Sequence, residues 1–239
     1  MKNSTLLIFI TAALLLGACA PQNAATQSPA VNVQNTEPSA QAAPAQPAQP
    51  AVTTSQNSAL SQDEINGLLF MREEEKLAMD VYNFLYQKWG TPIFQNIAES
   101  ELTHTNSVKT LLDTYGIADP AVNTAAGKFA DPALQALYDQ LITKGSASLA
   151  EALKVGAAIE EIDILDLKEE LELTTNADIE RVYDNLLQGS YNHLRSFVTN
   201  LKNQTGETYA PQYLSAEEYQ SILTSSGGGA GAGYQGGRG

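Results

Sequence analysis

Acidic and imidazole side chains occupy positions that otherwise carry apolar residues at helical spacing. The chain has two histidines, and each lies in the middle of such an apolar stripe. Glu101 and His104 form an E-x-x-H step, which places both side chains on one face of a helix. An ionised carboxylate in an apolar interior costs several kcal/mol unless a cation pairs with it. Because the stripes contain no Lys or Arg, we predict that these side chains bind metal cations.

Six residues on four predicted helices make up the predicted metal site. The candidates are Glu75, Glu101, His104, Glu160, Asp163 and His193. Four carboxylates and two imidazoles can hold two divalent ions, and this donor set suits iron or manganese, with zinc as an alternative. Glu161 replaces Glu160 in the set if the third long helix is rotated by one position. Glu73, Glu74 and Glu161 otherwise fall on polar faces, where we expect them to be exposed to solvent.

The helical spacing of the apolar stripes that carry these six residues predicts an all-α fold. Ser61 followed by Glu64 is a capping-box pattern, and Gly90 ends the helix that begins there. Apolar periodicity predicts further helices, and a long crossover from Ile117 to Gly145 separates the second long helix from the third. The predicted long helices span about 61–88, 92–114, from 146–148 onward, and 176–203, with short helices at about 132–144 and near the end of 205–223.

The two ends of the chain differ in composition from its middle. Leu16-Gly17-Ala18-Cys19 follows a short apolar run and resembles the lipobox of bacterial lipoproteins, whose cysteine carries the lipid. The alternative is an ordinary signal peptide with an unrelated cysteine. The predicted segments are a signal peptide at 1–19, a disordered Ala/Gln/Pro-rich tether at 20–59, one folded domain at 60–224 and a disordered Gly-rich tail at 225–239.

Charge and cysteine content exclude several classes of function. The formal net charge is −14, from 13 basic and 27 acidic residues. Nucleic-acid binding needs a basic surface, so no nucleic-acid partner is expected. A single cysteine excludes a disulfide framework within the chain and any site built from several cysteine ligands.

Several sequence strings resemble a known family. Glu75-x-x-Ala78-x-x-x-Tyr82 and Glu101-x-x-His104 are similar to helix motifs of the ferritin-like superfamily. Strings within 72–78, 156–163, 189–194 and 205–209 more closely resemble one branch, domain of unknown function 2202. The resemblance implies a four-helix bundle with one long crossover containing a short helix. It also implies a carboxylate-bridged site for two iron or manganese ions, with Glu160 and His193 from the last two long helices.

One position departs from the family pattern. Ser190 stands where the superfamily has a glutamate three residues before His193. Asp163, one helical turn after Glu160, can supply the missing carboxylate. If it does not, the second metal is weakly held and a mononuclear site is the alternative.

The resemblance implies a redox protein at the cell envelope. It would act on peroxide, oxygen or Fe(II) as a peroxidase or ferroxidase, and it would need a separate electron donor. The lipid on Cys19 would attach it to a membrane. By resemblance to bacterial lipoproteins, Ala20 favours the outer membrane, facing the periplasm or the surface, if the host is Gram-negative. A homodimer is compatible with the sequence. The alternative function is a non-enzymatic ferritin-like lipoprotein that serves as a binding or structural module.

Overall fold

The structure, a computed structural model, describes residues 60–225. In this range the chain forms six helices and no strand, which confirms the predicted all-α class. The helices are α1 (Gln62–Trp89), α2 (Pro92–Tyr115), α3 (Pro132–Gly145), α4 (Leu149–Leu173), α5 (Ala177–Thr205) and α6 (Ala216–Thr224). Within 60–225, no helix is both long and apolar enough to cross a membrane. The predicted signal peptide, Cys19, the whole of the predicted tether and all but the first residue of the predicted tail lie outside the described residues.

Local signals determine where α1 begins and ends. Ser61 and Glu64 cap each other: the Ser61 hydroxyl accepts the Glu64 backbone N–H at 3.1 Å, and Glu64 Oε2 accepts the Ser61 N–H at 2.7 Å. At the other end, Gly90 has φ of 63°, a left-handed conformation that favours glycine. The chain enters α2 at Pro92, so α1 and α2 are antiparallel neighbours.

The crossover makes α4 antiparallel to α1. Thr174, just beyond the end of α4, donates to Glu64 Oε1 near the start of α1 at 2.7 Å. At the opposite end, Trp89 Nε1 donates to the Gly145 carbonyl at 2.9 Å. Since α4 and α5 are joined by a short turn, α5 is antiparallel to both α4 and α2. The four long helices thus pack as a bundle, and their middle residues surround one core.

Charged residues of α1 are buried because they bind the crossover. Glu73 is 3% exposed, and its carboxylate accepts the backbone N–H groups of Ala130 at 2.6 Å and Asp131 at 2.9 Å. Arg72 forms an ion pair with Asp119 at 3.1 Å. The prediction that Glu73 is exposed is therefore wrong, because backbone donors replace the water that would otherwise solvate it.

Glu161 holds the segment that precedes α6. Its carboxylate is fully buried, and Oε2 accepts the backbone N–H groups of Gln212 at 2.8 Å, Tyr213 at 2.6 Å and Leu214 at 3.1 Å. The prediction that Glu161 is exposed is wrong for the same reason as for Glu73. These bonds also direct Glu161 away from the middle of the bundle, where Glu160 lies.

An aromatic layer packs beside the predicted site. The Phe197 ring lies 5.1 Å from the Tyr82 ring and 5.8 Å from the Phe94 ring, measured between centroids. Gly156 in α4 allows this approach, because a Cβ there would lie 2.4 Å from a Phe197 ring carbon. One turn further along α4 is Glu160, so the aromatic layer bounds one end of the polar cluster.

Candidate metal centre

The structure places all six predicted ligands in the interior of the bundle. Each is at most 9% exposed, and each of the four long helices contributes at least one. The residues are Glu75 on α1, Glu101 and His104 on α2, Glu160 and Asp163 on α4, and His193 on α5. The helices therefore bring four acids and both histidines of the chain into one apolar core.

The Glu101 carboxylate lies between the two imidazoles. Its Oε2 is 2.8 Å from His104 Nδ1, and its Oε1 is 2.8 Å from His193 Nδ1. The two rings are stacked with their centroids 5.4 Å apart. A ligand atom from each of these three residues can be chosen so that all lie within 4.8 Å of one another. One carboxylate thus serves two imidazoles, which is the role of a bridging ligand.

The Nδ1 atom of each imidazole also faces a second carboxylate. Glu75 Oε2 is 3.3 Å from His104 Nδ1, and Glu160 Oε2 is 3.4 Å from His193 Nδ1. Metal–ligand distances of about 2.1 Å put neighbouring ligand atoms roughly 3.0–3.4 Å apart in octahedral and tetrahedral geometry. The observed separations are close to that range. The site divides into two halves, each with one imidazole, one oxygen of Glu101 and one further carboxylate, Glu75 or Glu160.

The Nδ1 atoms of both histidines lie close to the carboxylates they face but are poorly aligned with them for a hydrogen bond. His104 Nδ1 and His193 Nδ1 are buried and lack a hydrogen-bond partner of acceptable angle, and Glu75 Oε1 also has none. A hydrogen bond requires the N–H to point at the acceptor as well as a short distance. Close ligand atoms that do not point at one another are arranged as they would be around a cation.

The outer nitrogen of His193 is held by α2. His193 Nε2 lies 3.0 Å from the Ser100 hydroxyl, which can accept an N–H from this nitrogen. In the neutral imidazole that metal binding requires, this contact favours the proton on Nε2 and leaves Nδ1 to bind the metal. Ser100 therefore borders the candidate site. Its position was not predicted, since a serine on a helix gives no specific signal.

Gly189 provides space for His104. A Cβ at this position would lie 2.5 Å from both Cε1 and Nε2 of the His104 ring. Gly189 was also not predicted as a site residue. The sequence feature that could have indicated it is a glycine in the interior of a long helix. Glycine is destabilising there, so its presence often indicates that another group approaches the backbone closely.

We expect Gly189→Ala to weaken metal binding by displacing the His104 ring. Loss of the groups that orient a ligand typically costs 10- to 100-fold in metal affinity, and roughly this loss is expected here. Equilibrium metal titration measures it, with Gln188→Ala, an exposed neighbour on the same helix, as the control. Wild-type affinity in the Gly189→Ala protein would contradict the placement of His104.

Asp163 and Ser190 contact each other across α4 and α5. The Ser190 hydroxyl donates to Asp163 Oδ2, while Asp163 Oδ1 is buried without a partner. Burial and the charges of Glu75 and Glu160 raise the pKa of Asp163 well above its usual range. The Asp163 carboxyl thus borders the other candidate ligands. It also lies beside Ser190, the position at which the ferritin-like pattern has a glutamate.

Protons balance the charges of the site when no cation is bound. Burial favours a higher pKa for Glu101, but His104 and His193 outweigh burial and lower this pKa to about 2. Burial favours a lower pKa for both histidines, but the adjacent carboxylates raise it to about 11 for His104 and about 10 for His193. Burial raises the pKa of Glu75 to about 8. Without a metal, both histidines are therefore imidazolium ions and Glu75 is protonated. Bound metal ions would displace these protons and supply the positive charge in their place.

The donor set fits iron or manganese ions. Carboxylate oxygens and imidazole nitrogens are the usual ligands of these metals in proteins, and no thiolate lies among residues 60–225. Tyr82 lies beside one half of the site, where its hydroxyl donates to Glu160 Oε1 at 2.5 Å. Such a bond orients a ligating carboxylate.

Comparison with known proteins identifies the family of this chain. A family model described as "Uncharacterized protein domain (DUF2202)" matches residues 64–226. The chain belongs to the DUF2202 family. The matched span of the DUF2202 domain contains all six candidate ligands as well as Tyr82, Gly189 and Ser190.

One archaeal protein is similar to most of this DUF2202 chain. The uncharacterized protein MJ0754 of Methanocaldococcus jannaschii is 50% identical over 175 residues, covering 73% of this chain and 94% of that protein. A crystal structure of the hypothetical protein MJ0754 from Methanococcus jannaschii has a TM-score of 0.70 and covers 74% of this chain and 100% of that chain. Because these descriptions state no activity, function must be argued from the DUF2202 site itself.

Proposed function

We propose that the folded domain binds two divalent iron or manganese ions in a ferritin-like dinuclear centre and acts as a redox protein. The observation that supports this most directly is the position of Glu101. Its two oxygens face two different imidazoles at the same distance of 2.8 Å, as a bridging carboxylate would. The poor hydrogen-bond alignment of both Nδ1 atoms with this carboxylate supports the same interpretation, because ligands of one cation point at the cation and not at one another.

The proposed ligands divide between two metal positions. Glu75 and His104 would hold one ion, Glu160 and His193 would hold the other, and Glu101 would bridge them. Asp163 would complete the four carboxylates in place of the glutamate that Ser190 replaces. The hydrogen bond from Ser190 supports this role, because it aims Asp163 across the bundle from α4 toward α5.

The two metals would supply electrons, since reduction of one peroxide to two waters requires two electrons and two protons. The protein contributes burial, charge balance and orientation. Glu75 and Glu160 are each 1% exposed, whereas the histidine pair between α2 and α5 is 8–9% exposed. Because all of these side chains are buried, the site would admit only small oxidants such as peroxide or dioxygen, and bulky substrates would be excluded. A separate electron donor would be needed for turnover.

The cellular setting is part of the same proposal. A lipid on Cys19 would anchor the protein to a membrane, and residues 20–59 would serve as the tether. The outer membrane, with the domain facing the periplasm or the surface, is the proposed location. Peroxide removal or Fe(II) oxidation at the envelope would suit a site that a small oxidant can reach, and a homodimer remains compatible with this role.

Anaerobic loading with Fe(II), followed by peroxide or oxygen, tests the proposal. We expect two Fe(II) ions to bind per chain and to be oxidised faster than the same Fe(II) in buffer. The measurement is chelator-accessible Fe(II) over time, with the Asp163→Asn protein losing one of the two bound ions. Fewer than one bound metal per chain would reject the redox proposal and favour the alternative, a binding or structural module.

A further inference from the structure

The two halves of the candidate metal centre have matching inner atoms. In the His193 half, which consists of His193 and Glu160, the histidine Nδ1 lies 2.8 Å from Glu101 and 3.4 Å from Glu160. In the His104 half, which consists of His104 and Glu75, the corresponding distances are 2.8 Å and 3.3 Å. Any difference between the halves must therefore come from the outer atoms, which are the imidazole Nε2 and the second carboxylate oxygen.

Both outer atoms of the His193 half contact a hydroxyl group. His193 Nε2 lies 3.0 Å from the Ser100 hydroxyl, and Glu160 Oε1 accepts the Tyr82 hydroxyl at 2.5 Å. Ser100 directly precedes Glu101 on α2, so two consecutive residues contact the two nitrogens of one ring. Tyr82 is fully buried, so water does not compete for its hydroxyl. Rotation of either ligand would break one of these contacts.

The outer atoms of the His104 half have no such contacts. Glu75 Oε1 is buried without a hydrogen-bond partner. In the described part of the chain, no group hydrogen-bonds His104 Nε2, which lies instead against Gly189, where a Cβ would be 2.5 Å away. The ligands of this half are thus positioned by packing alone.

The acid that precedes Glu75 does not supply the missing hydrogen bond. Glu74 is 4% exposed, so the prediction that it is exposed to solvent is wrong, because its side of α1 faces α4. Glu75 Oε1 nevertheless remains without a partner. The difference between the two halves is therefore not removed by a neighbouring side chain.

Hydrogen bonds to the outer atoms of a ligand favour metal binding. Groups that orient a ligand typically contribute about 10- to 100-fold in metal affinity. Ser100 can also determine which nitrogen binds, since an N–H on Nε2 that points at its hydroxyl leaves the lone pair on Nδ1. The His193 half is therefore organised before a metal arrives, whereas the His104 half must order its ligands as the metal binds.

We propose that Ser100 and Tyr82 are positioning residues that make the His193 half the first and tighter of two metal positions. Neither hydroxyl binds the metal, and each acts through the ligand that it contacts. The second ion enters the His104 half with lower affinity, because ordering Glu75 and His104 opposes its binding. This order of filling rests on the dinuclear centre proposed above.

Equilibrium dialysis of the full-length protein against Mn²⁺ tests the order of filling. We expect the wild type to bind two Mn²⁺ per chain in two separate steps, with Glu75→Gln keeping the tighter ion and Glu160→Gln the weaker one. Adding Ser100→Ala should lower the affinity of the ion kept by Glu75→Gln by about 10- to 100-fold. The same addition should leave the ion kept by Glu160→Gln unchanged, and Tyr82→Phe should weaken the ion kept by Glu75→Gln.

Two further substitutions separate positioning from a general effect on folding. Ser100→Thr keeps the hydroxyl, so it should preserve the affinity that Ser100→Ala loses in the Glu75→Gln protein. Ser107→Ala is the matched control, because it removes another half-buried hydroxyl of α2, which donates to the Thr103 carbonyl at 2.9 Å. It should leave both binding steps as in the wild type.

Three results would overturn the assigned order. They are two wild-type ions of equal affinity, a loss on Ser100→Ala that is the same in both single-position proteins, and no loss on Ser100→Ala in Glu75→Gln. A wild-type protein that binds no pair of ions gives a different result, because it rejects the dinuclear centre itself and the order of filling with it.

Discussion

Glu101→Gln is expected to abolish tight binding of both metal ions. The two oxygens of this carboxylate each lie 2.8 Å from the Nδ1 atom of a different histidine. The glutamine amide keeps the shape but replaces one oxygen by an N–H donor and removes the negative charge. Because loss of an orienting group alone costs about 10- to 100-fold in metal affinity, loss of the shared ligand should cost more than 100-fold at both positions.

Metal titration followed by competition with a chelator measures this loss. Glu99→Gln is the matched control, because Glu99 is exposed on the same helix and should bind metal like the wild type. Circular dichroism checks that the helices persist in Glu101→Gln. This check is needed because the substitution also removes the carboxylate that pairs with the two imidazolium ions. Loss of one ion with retention of the other would contradict a bridging role for Glu101, although each half could still bind a metal.

Helical periodicity and capping were sufficient to predict most of the helices. The predicted ends of α2 (Pro92–Tyr115) and α3 (Pro132–Gly145) agree with the structure within one residue. Proline at the start and Gly116 at the end of α2 are local signals that depend on neighbouring residues alone. Apolar periodicity also oriented each helix well enough to direct Glu75 and His193 inward.

The environments of the other acids could not be predicted by the same reasoning. Glu73 binds backbone groups 57 and 58 residues away, and Glu161 binds backbone groups more than 50 residues away. Periodicity describes one helix at a time and does not show which loop will cover its polar face. An acid next to a loop with unpaired N–H groups becomes buried, whereas the same acid without such a partner stays in water.

The contact between Ser190 and Asp163 could be predicted only in part. The sequence identified the serine as a departure and Asp163 as a replacement carboxylate. The structure adds that the two side chains are hydrogen-bonded, which requires α4 and α5 to pack in one particular register. Register between distant helices is set by packing of the whole core, and the sequence of either helix alone does not determine it.

The metal-free protein is expected to lose stability as pH rises from about 5 to 10. Burial raises the pKa of Glu75 from 4.5 to about 8, so its contribution to stability is full below pH 4.5 and is lost as pH rises through 8. Contacts with carboxylates outweigh burial and raise the pKa of His104 from 6.5 to about 11. Its contribution is full below pH 6.5 and is lost as pH rises through 11.

The other two titrating groups of the site do not oppose this trend: His193 also lowers stability as pH rises, and Glu101 titrates below pH 5. His193, with a pKa raised from 6.5 to about 10, loses its contribution as pH rises through 10. Glu101 has a pKa lowered from 4.5 to about 2, so its contribution is present above pH 4.5 and is lost only as pH falls through 2. The metal-free protein should therefore be most stable near pH 5. Each extra proton held by the folded state changes stability by about 1.4 kcal/mol per pH unit.

Metal ions are expected to reverse this dependence. A metal must displace the protons held by the histidines and Glu75, so its affinity and the stabilisation it provides increase as pH rises. Urea unfolding of chelated and Mn²⁺-loaded protein at pH 5, 6, 7 and 8 measures both trends. The two free energies of unfolding should diverge with increasing pH, and in chelated Glu75→Gln the decline between pH 5 and 8 should be smaller. Chelated wild-type protein that gains stability over this interval would show that these groups do not retain their protons, and the electrostatic basis of the proposed centre would then be wrong.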